Sequence, residues 1–350
     1  MARPPYGVAI LIPFREDGTG RTEQLATLID ALAALENVPK RPALVVVAEQ
    51  SADGERFNRG ALLNIAFILA SSASFAPSCA TFICHDVDMA PSSSCGAHYG
   101  ASEGGEVGVV VLAARGSRYA ADGCFGGVTV YDRETYERTN GYPNTFWGWG
   151  GEDNAQFHRC IAAKVITRRV EDVEFDDLER DADDVAKKLA SLDARGARIG
   201  AKEKAKLLRD NRRGWASEGL NTVAFEELER ATLREDETMT CVKYVVRIDC
   251  GKPGHMRCAE CARVLPESDF SGKVRKRVKL ARKSAFAHDE ACRACTDRKP
   301  WQIETSERIK SNAADPSRLT CAQCAMTFTS RTKLFRHLET CVVHDGTRGS

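Results

Sequence analysis

Two acidic pairs and three cysteine pairs are where residue types and spacing in this 350-residue chain could do chemistry. Asp86-Val87-Asp88 ends the apolar run that starts at Thr81. Alternate residues of a strand share a face, so the two carboxylates are expected on one side. Oxygen ligands so placed suit Mn2+ or Mg2+. Glu152 and Asp153 fall in Gly141–His158, GYPNTFWGWGGEDNAQFH, which holds two tryptophans and four glycines. Trp147-Gly148-Trp149-Gly150-Gly151 cannot be an ordinary helix or strand, because glycine costs backbone entropy in either. It reads as an aromatic surface on a hinge, with Trp147 fitting the core equally well. A helix follows, with the carboxylates in its first turn. There they complement the helix dipole, which is sufficient as a purely structural reason for them.

The cysteines divide the chain. Seven of fourteen lie in residues 1–250 without short pairing; six of the other seven form CxxC pairs, a zinc-ligand spacing that favours a reducing compartment. Cys258, Cys261, Cys292 and Cys295 form a four-cysteine set that resembles, weakly, small Stc1-like zinc modules. Cys321, Cys324 and His337, with Phe328 and Leu334 between them, have the spacing of a classical-type Zn2+ finger. Its fourth ligand is Cys341, or alternatively His344. Between the modules, Lys273–Lys283 carries seven basic residues in eleven, a phosphate-binding or nuclear-import stretch or simply a solvated face. One finger covers only ~3 base pairs, so a protein or RNA partner fits the tail as well as DNA does.

The elements that must position the acidic groups follow from periodicity. Apolar runs at Gly7–Phe14, Pro42–Gln50, Thr81–Val87, Val107–Ala113, Val128–Tyr131 and Thr240–Asp249 predict strands. Helical spacing predicts helices over Arg21–Glu36, Arg59–Ala70 and Arg133–Thr139, and a largely helical stretch over Asp184–Arg213. The alternation gives an α/β sandwich with a mostly parallel sheet, whose sites gather at the carboxyl ends of strands, where Arg15, Asp86 and Asp88 fall. Residues 1–250 form the proposed catalytic body, 251–300 the four-cysteine module with its basic insert, and 301–350 the finger. The body carries 30 basic and 38 acidic side chains and the last hundred residues 20 and 11, so a net charge of +1 joins an acidic body (−8) to a basic tail (+9). Only the tail is suited to polyanions. No run of about 18 apolar residues predicts a membrane span.

Five ordered motifs resemble the beta-1,4-galactosyltransferase family (glycosyltransferase family 7) over the first 250 residues. They are Ile12-Pro13-Phe14-Arg15, Phe57-Asn58-Arg59 with Leu62-Leu63-Asn64, His85-Asp86-Val87-Asp88, the Trp147–Asp153 stretch, and Glu218-Gly219-Leu220-Asn221-Thr222. The wording is most similar to the branch that galactosylates xylose in proteoglycan linkers. The resemblance implies the GT-A nucleotide-sugar transferase fold, a UDP-sugar donor, a glycan or glycoconjugate acceptor, Mn2+ or Mg2+, and direct displacement with inversion. It implies Asp153 as general base, Glu152 and Asn154 with it on the acceptor, and Trp149 closing over the donor. The donor side takes Pro13, Phe14, Arg15, Phe57, Arg59, Asp86, Asp88, Cys124 and Gly127. A diphosphate and protein carboxylates repel one another, so a divalent cation is needed between them; Asp88 is its implied ligand.

The chain departs from the family pattern at three places. Phe175-Asp176-Asp177-Leu178-Glu179 stands where the xylose-directed branch has histidines, so Asp177 and Glu179 join Asp88 as candidate ligands, unless this acidic loop is merely solvated. Asn154 stands where many members have a second Asp. Cys124 replaces a tyrosine that restricts an N-acetyl group, which opens the donor pocket to N-acetylgalactosamine as well as galactose. The resemblance implies the Golgi, where family members are usually anchored; the absence of an anchor here and the zinc modules are expected either of a nucleocytoplasmic protein or of a sequence that lacks its first exon. The rival function is a zinc-finger binding protein whose transferase half is a degenerate scaffold. For the tail, zinc chelation is expected to unfold residues 251–350 and leave the melting transition of the transferase half in place; circular dichroism with and without chelator reads both.

Overall fold

The computed structural model describes residues 6–38, 42–72, 79–99, 108–112, 125–170, 172–179, 182–252, 255–257 and 264–275. The chain divides into two compact units, residues 1–290 and 291–350, and the described residues all lie in the first. Cys258, Cys261, Cys292, Cys295, Cys321, Cys324, His337, Cys341, His344 and Cys124 lie outside the described residues.

The most apolar runs make the middle of the sheet. β1 (Val8–Phe14), β2 (Ala43–Gln50) and β3 (Thr81–His85) are parallel, with β1 between the other two. All seven residues of β1 are buried, as a strand covered on both faces requires. On one face α1 (Arg21–Ala33) lays Leu25, Leu28 and Leu32 against Val8, Ile10, Ile12, Val45, Val47 and Ile83. On the other, α2 (Arg59–Ala70) packs Leu62, Leu63, Ala66 and Phe67 against Ala9, Leu11, Val46 and Phe82. Each such large side chain contributes about 1.5–3 kcal/mol through burial. Asn58 caps α2, its side chain accepting from the Ala61 amide at 3.0 Å.

β4 (Met89–Pro91), β5 (Gly108–Leu112), β6 (Val128–Asp132), β7 (Ile166–Val170), β8 (Phe175–Asp177), β9 (Phe225–Glu235) and β10 (Met239–Ile248) complete the strands that concern the site. Eight of them form one sheet in the order β7-β5-β6-β3-β1-β2-β10-β9; β4 and β8 pair separately. The expectation of a mostly parallel sheet is corrected to a mixed one. β1–β2, β1–β3, β2–β10 and β5–β7 are parallel, but β3–β6, β5–β6 and β9–β10 are antiparallel. The β9–β10 link is a tight turn in which Asp236 accepts from the amides of Thr238 and Met239, too short for a parallel crossover.

Three further differences matter for the site. β3 ends at His85 rather than Val87, so Asp86 and Asp88 lie on a turn and do not share a strand face. The long helical stretch splits into α5 (Ala182–Ala194) and α6 (Ala201–Gly214). Gly196, at φ +62°, ends the first, and the extended residues 197–199 between them reach the tryptophan loop. β7 and β9 are the two edges of the sheet. Their charged, exposed sequences, ITRRV and FEELERATLRE, carry no apolar run to announce a strand.

α3 (Arg133–Arg138) and α4 (Glu152–Ala162) flank the Gly141–Gly151 loop. A buried arginine on α4 ties that loop down. Arg159 donates to the Asn140 and Gly141 carbonyls at 3.0 and 3.1 Å, to Asn211 of α6 at 2.8 Å, and to Glu218 at 3.0 Å. Glu218 in turn accepts from the Asn144 amide at 2.6 Å. Replacing Arg159 by Met leaves these acceptors without their buried donor, so chemical denaturation is expected to show a loss of about 3–5 kcal/mol.

Candidate active site

Arg59, the first residue of α2, is the centre of the site. Its Nε donates to Asp86 Oδ1 at 2.7 Å and its Nη1 to Asp153 Oδ1 at 2.7 Å; Glu152 Oε1 lies 3.9 Å from Nη1. One planar guanidinium therefore joins the turn after β3 to the N-terminus of α4, a use of the fork that lysine could not reproduce. Its face lies 5.6 Å from the Tyr142 ring centroid. Asp86 is fixed from the other side by Gly127, whose amide donates to Oδ2 at 3.1 Å and whose carbonyl accepts from the Asp86 amide at 2.9 Å. Gly127 has φ +80°, the left-handed conformation this double contact uses.

Three carboxylates around one arginine leave excess negative charge. Burial pushes the Glu152 carboxyl up to about 7, and the neighbouring Asp153 adds to the shift. Asp153 is also raised, by burial first, with Arg59 pulling the other way. Glu152 Oε2 and Arg59 Nη2 are buried polar atoms with no hydrogen-bond partner, both at this junction. Such atoms mark where a polar ligand group would be welcome.

The tryptophan loop leads directly into the helix that carries Glu152 and Asp153. Trp149 is 43% exposed, while Trp147 is in the core. Gly148, Gly150 and Gly151 have φ of +122°, +109° and +106°, so the chain around Trp149 takes a path that other residues resist. The Trp149 amide donates to the Ala197 carbonyl at 2.9 Å, and the Ile199 amide to the Trp149 carbonyl at 3.2 Å. The Arg198 guanidinium lies 5.9 Å from the Trp149 ring. Asn154 is exposed on the outer side of the same helix turn. At the end of β1, Phe14 is buried, and Arg15 reaches the Glu55 carbonyl at 2.8 Å and covers the Phe57 ring at 5.5 Å. Pro13 pairs with Ala48 inside the sheet.

The candidate metal ligands lie on the β4–β8 ladder, where Met89 pairs with Asp177 and the Leu178 amide donates to the Asp88 carbonyl at 2.8 Å. Asp88 and Glu179 converge on one cation, the Arg21 guanidinium: Nη1 donates to Asp88 Oδ2 at 3.0 Å and Nη2 to Glu179 Oε1 at 2.6 Å. Asp177 is turned inward on the loop, accepting from the Glu179 amide at 3.0 Å. Among the described residues no three His, Cys, Asp or Glu side chains are grouped so as to hold a metal by themselves. The oxygen donors and the arginine held between them nonetheless fit a site built for positive charge.

Arg21 and Arg159 were not among the residues expected from the sequence, although both leave a trace. Arg21 opens α1, where a positive charge opposes the helix dipole and so asks for acids nearby. Arg159 shares the α4 face of Ala155, Gln156 and Cys160, which is otherwise buried.

Known proteins resemble this chain in sequence and fold. The model of the N-terminal region of glycosyl transferase group 7 matches residues 2–99, and a second, described as the N-terminal domain of galactosyltransferase, matches residues 108–180. Residues 2–99 and 108–180 are thus similar to glycosyl transferase group 7. Human beta-1,4-galactosyltransferase 4 is 31% identical over 221 residues, which are 63% of this chain and 58% of that protein. Human beta-1,4-galactosyltransferase 2 is 33% identical over 156 residues, 45% of this chain and 40% of that one. The chain thus spans less than two thirds of the length of these relatives. The catalytic domain of Drosophila beta-1,4-galactosyltransferase 7, crystallised with xylobiose, superposes with a TM-score of 0.54 at 22% identity, covering 70% of this chain and 95% of that one. At that identity the likeness shows the fold, the GT-A arrangement with a mixed sheet. No described helix is long and apolar enough to cross a membrane.

The raised Glu152 carboxyl makes stability depend on pH. The folded protein binds this proton more tightly than the unfolded chain, so the associated stability is fully present below about 4.5 and is lost as pH rises through about 7. Glu152→Gln removes that dependence. Urea denaturation is expected to show the variant gaining on the parent between pH 5 and pH 8; parallel curves would remove Glu152 as the source.

Proposed function

We propose that the protein is a metal-dependent inverting hexosyltransferase that moves galactose or N-acetylgalactosamine from a UDP-sugar to a sugar hydroxyl. The observation that carries this reading is the Asp86–Arg59–Asp153 chain, which links a donor-side acid to an acceptor-side acid at 2.7 Å on each side. A Drosophila beta-1,4-galactosyltransferase 7 variant of the same fold (TM-score 0.52, 21% identity, 70% of this chain and 95% of that one) was crystallised with manganese, UDP-Gal and xylobiose. Its contents support the choice of donor, metal and acceptor class for this chain.

In this reading the acceptor hydroxyl attacks the anomeric carbon as its proton passes to Asp153. The new C–O bond forms on the face opposite the breaking bond to the UDP oxygen, so configuration inverts. Asp153 Oδ1 is engaged by Arg59, which leaves Oδ2 to take the proton and fixes its direction. Glu152 and Asn154 hold the acceptor, and Glu152 can donate as well as accept because it is protonated near neutrality. Trp149 on its glycine hinge covers the donor and excludes water. Pro13, Phe14, Arg15 and Phe57 form the nucleotide side. Asp88 and Glu179, with Asp177 beside them, would hold Mn2+ or Mg2+, which when bound supplies charge neutralisation to the diphosphate leaving group. Cys124 in place of a larger residue supports use of either hexose, since one side chain discriminates by only ~1–3 kcal/mol.

Asp153→Asn is expected to leave UDP-sugar affinity nearly unchanged and to lower turnover by about 10²–10⁴-fold. Calorimetry of donor binding and a UDP-release assay separate the two effects; turnover like that of the parent would take the base role from Asp153.

A further inference from the structure

Arg21 is the residue whose position the proposed reaction does not use. It occupies the place between Asp88 and Glu179, and its side chain is 14% exposed against 6% and 12% for the two acids. The bridge is nearly closed to solvent, so the guanidinium and both carboxylates meet with little water between them. Gln24 Oε1 accepts from the same Nη1 at 2.8 Å, which anchors the guanidinium to the first turn of its own helix. Burial lowers the Arg21 pKa and Asp88 and Glu179 raise it, the net being upward, so the group stays a cation throughout the accessible pH range.

We infer that Arg21 is a built-in competitor of the divalent cation: guanidinium and metal occupy the Asp88–Glu179 pair in turn, and Arg21 thereby sets the metal affinity. The inference rests on the metal site assigned to Asp88 in the proposed function. Arg21 supplies +1 to the two carboxylates where a divalent cation would supply +2, and both would use the same oxygens, Asp88 Oδ2 and Glu179 Oε1. Metal therefore binds only by breaking two charge-assisted hydrogen bonds in a nearly dry setting, where such bonds are strong. Binding is weak for the protein alone and improves when a diphosphate arrives to share the cation. Glu179 is what makes the competition possible, because its carboxylate holds the guanidinium as an ion pair at 2.6 Å.

The test uses the full chain and Mn2+ alone, with free Mn2+ counted by electron paramagnetic resonance and without any sugar donor. Arg21→Gln is expected to bind Mn2+ about tenfold or more tightly than the parent, and Arg21→Lys to fall between, since an ammonium cannot bridge both acids as a fork. Adding Glu179→Gln to Arg21→Gln should abolish the gain, which separates this site from any other Mn2+ site on the chain. Unchanged or weaker Mn2+ binding by Arg21→Gln, with the melting transition intact, would overturn the inference. If Arg21→Gln lowers the melting temperature, Arg21→Lys decides in its place, and no tightening there overturns it equally. Because no transfer is measured, a failed competition is distinct from a failed transferase reading, which UDP release from UDP-galactose tests separately.

Discussion

The structure depends on one buried cation. Arg59 must leave water at the start of α2, and that is unfavourable unless its charge is met at close range. Asp86 and Asp153 meet it at 2.7 Å each, from the turn after β3 and from the first turn of α4. Removing both acids would leave an uncompensated buried charge, typically a loss of about 3–5 kcal/mol. The acids need the arginine for the same reason. With Glu152 nearby the junction carries three acids to one base, and the excess is relieved by keeping Glu152 protonated up to about 7. Both neighbouring carboxyls are raised by burial, and Arg59 pulls each of them the other way.

The rest of the fold holds that junction in place. Three parallel strands start level with one another because their apolar sequences pair in register, Val8 with both Ala43 and Thr81. The β3 strand stops at His85, whose ring bonds the Tyr99 hydroxyl at 2.7 Å and is kept neutral by burial, its pKa lowered to about 4. The acidic turn begins immediately after it. On the other side, Asn64 of α2 receives the Tyr136 hydroxyl and the Tyr142 amide and donates to Asn144, fastening the loop that leads to Trp149. Gly141 sits so close that an added Cβ would lie 2.1 Å from Asn64 Oδ1, which explains a glycine there. In that loop Gly148, Gly150 and Gly151 hold positive φ on either side of Trp149.

The central strands, their covering helices and the position of Asp153 on a helix N-terminus were legible in the sequence, because burial on both faces imposes long apolar runs and glycines mark the hinge. The edge strands were not, since β7 and β9 are solvated and their stability comes from pairing rather than from side-chain burial. The partners of the acids were also hidden. Periodicity placed Asp86 and Asp88 together, yet a strand that stops two residues earlier sends them to Arg59 and Arg21, which lie 27 and 67 positions away. Ion pairs across such separations leave no local pattern. A charged residue on a buried helix face, as at Arg159, or a cation at a helix N-terminus, as at Arg21, is the only trace.

Transfer itself tests the account most directly. The full chain should be incubated with UDP-galactose, Mn2+ and a panel of xyloside and N-acetylglucosaminide acceptors, with the linkage of any product read by nuclear magnetic resonance. The account predicts acceptor-dependent release of UDP and a β-linked galactoside, the inverted product of an α-linked donor. An α-linked product, or no UDP release above the uncatalysed rate with any hexose donor, would contradict it.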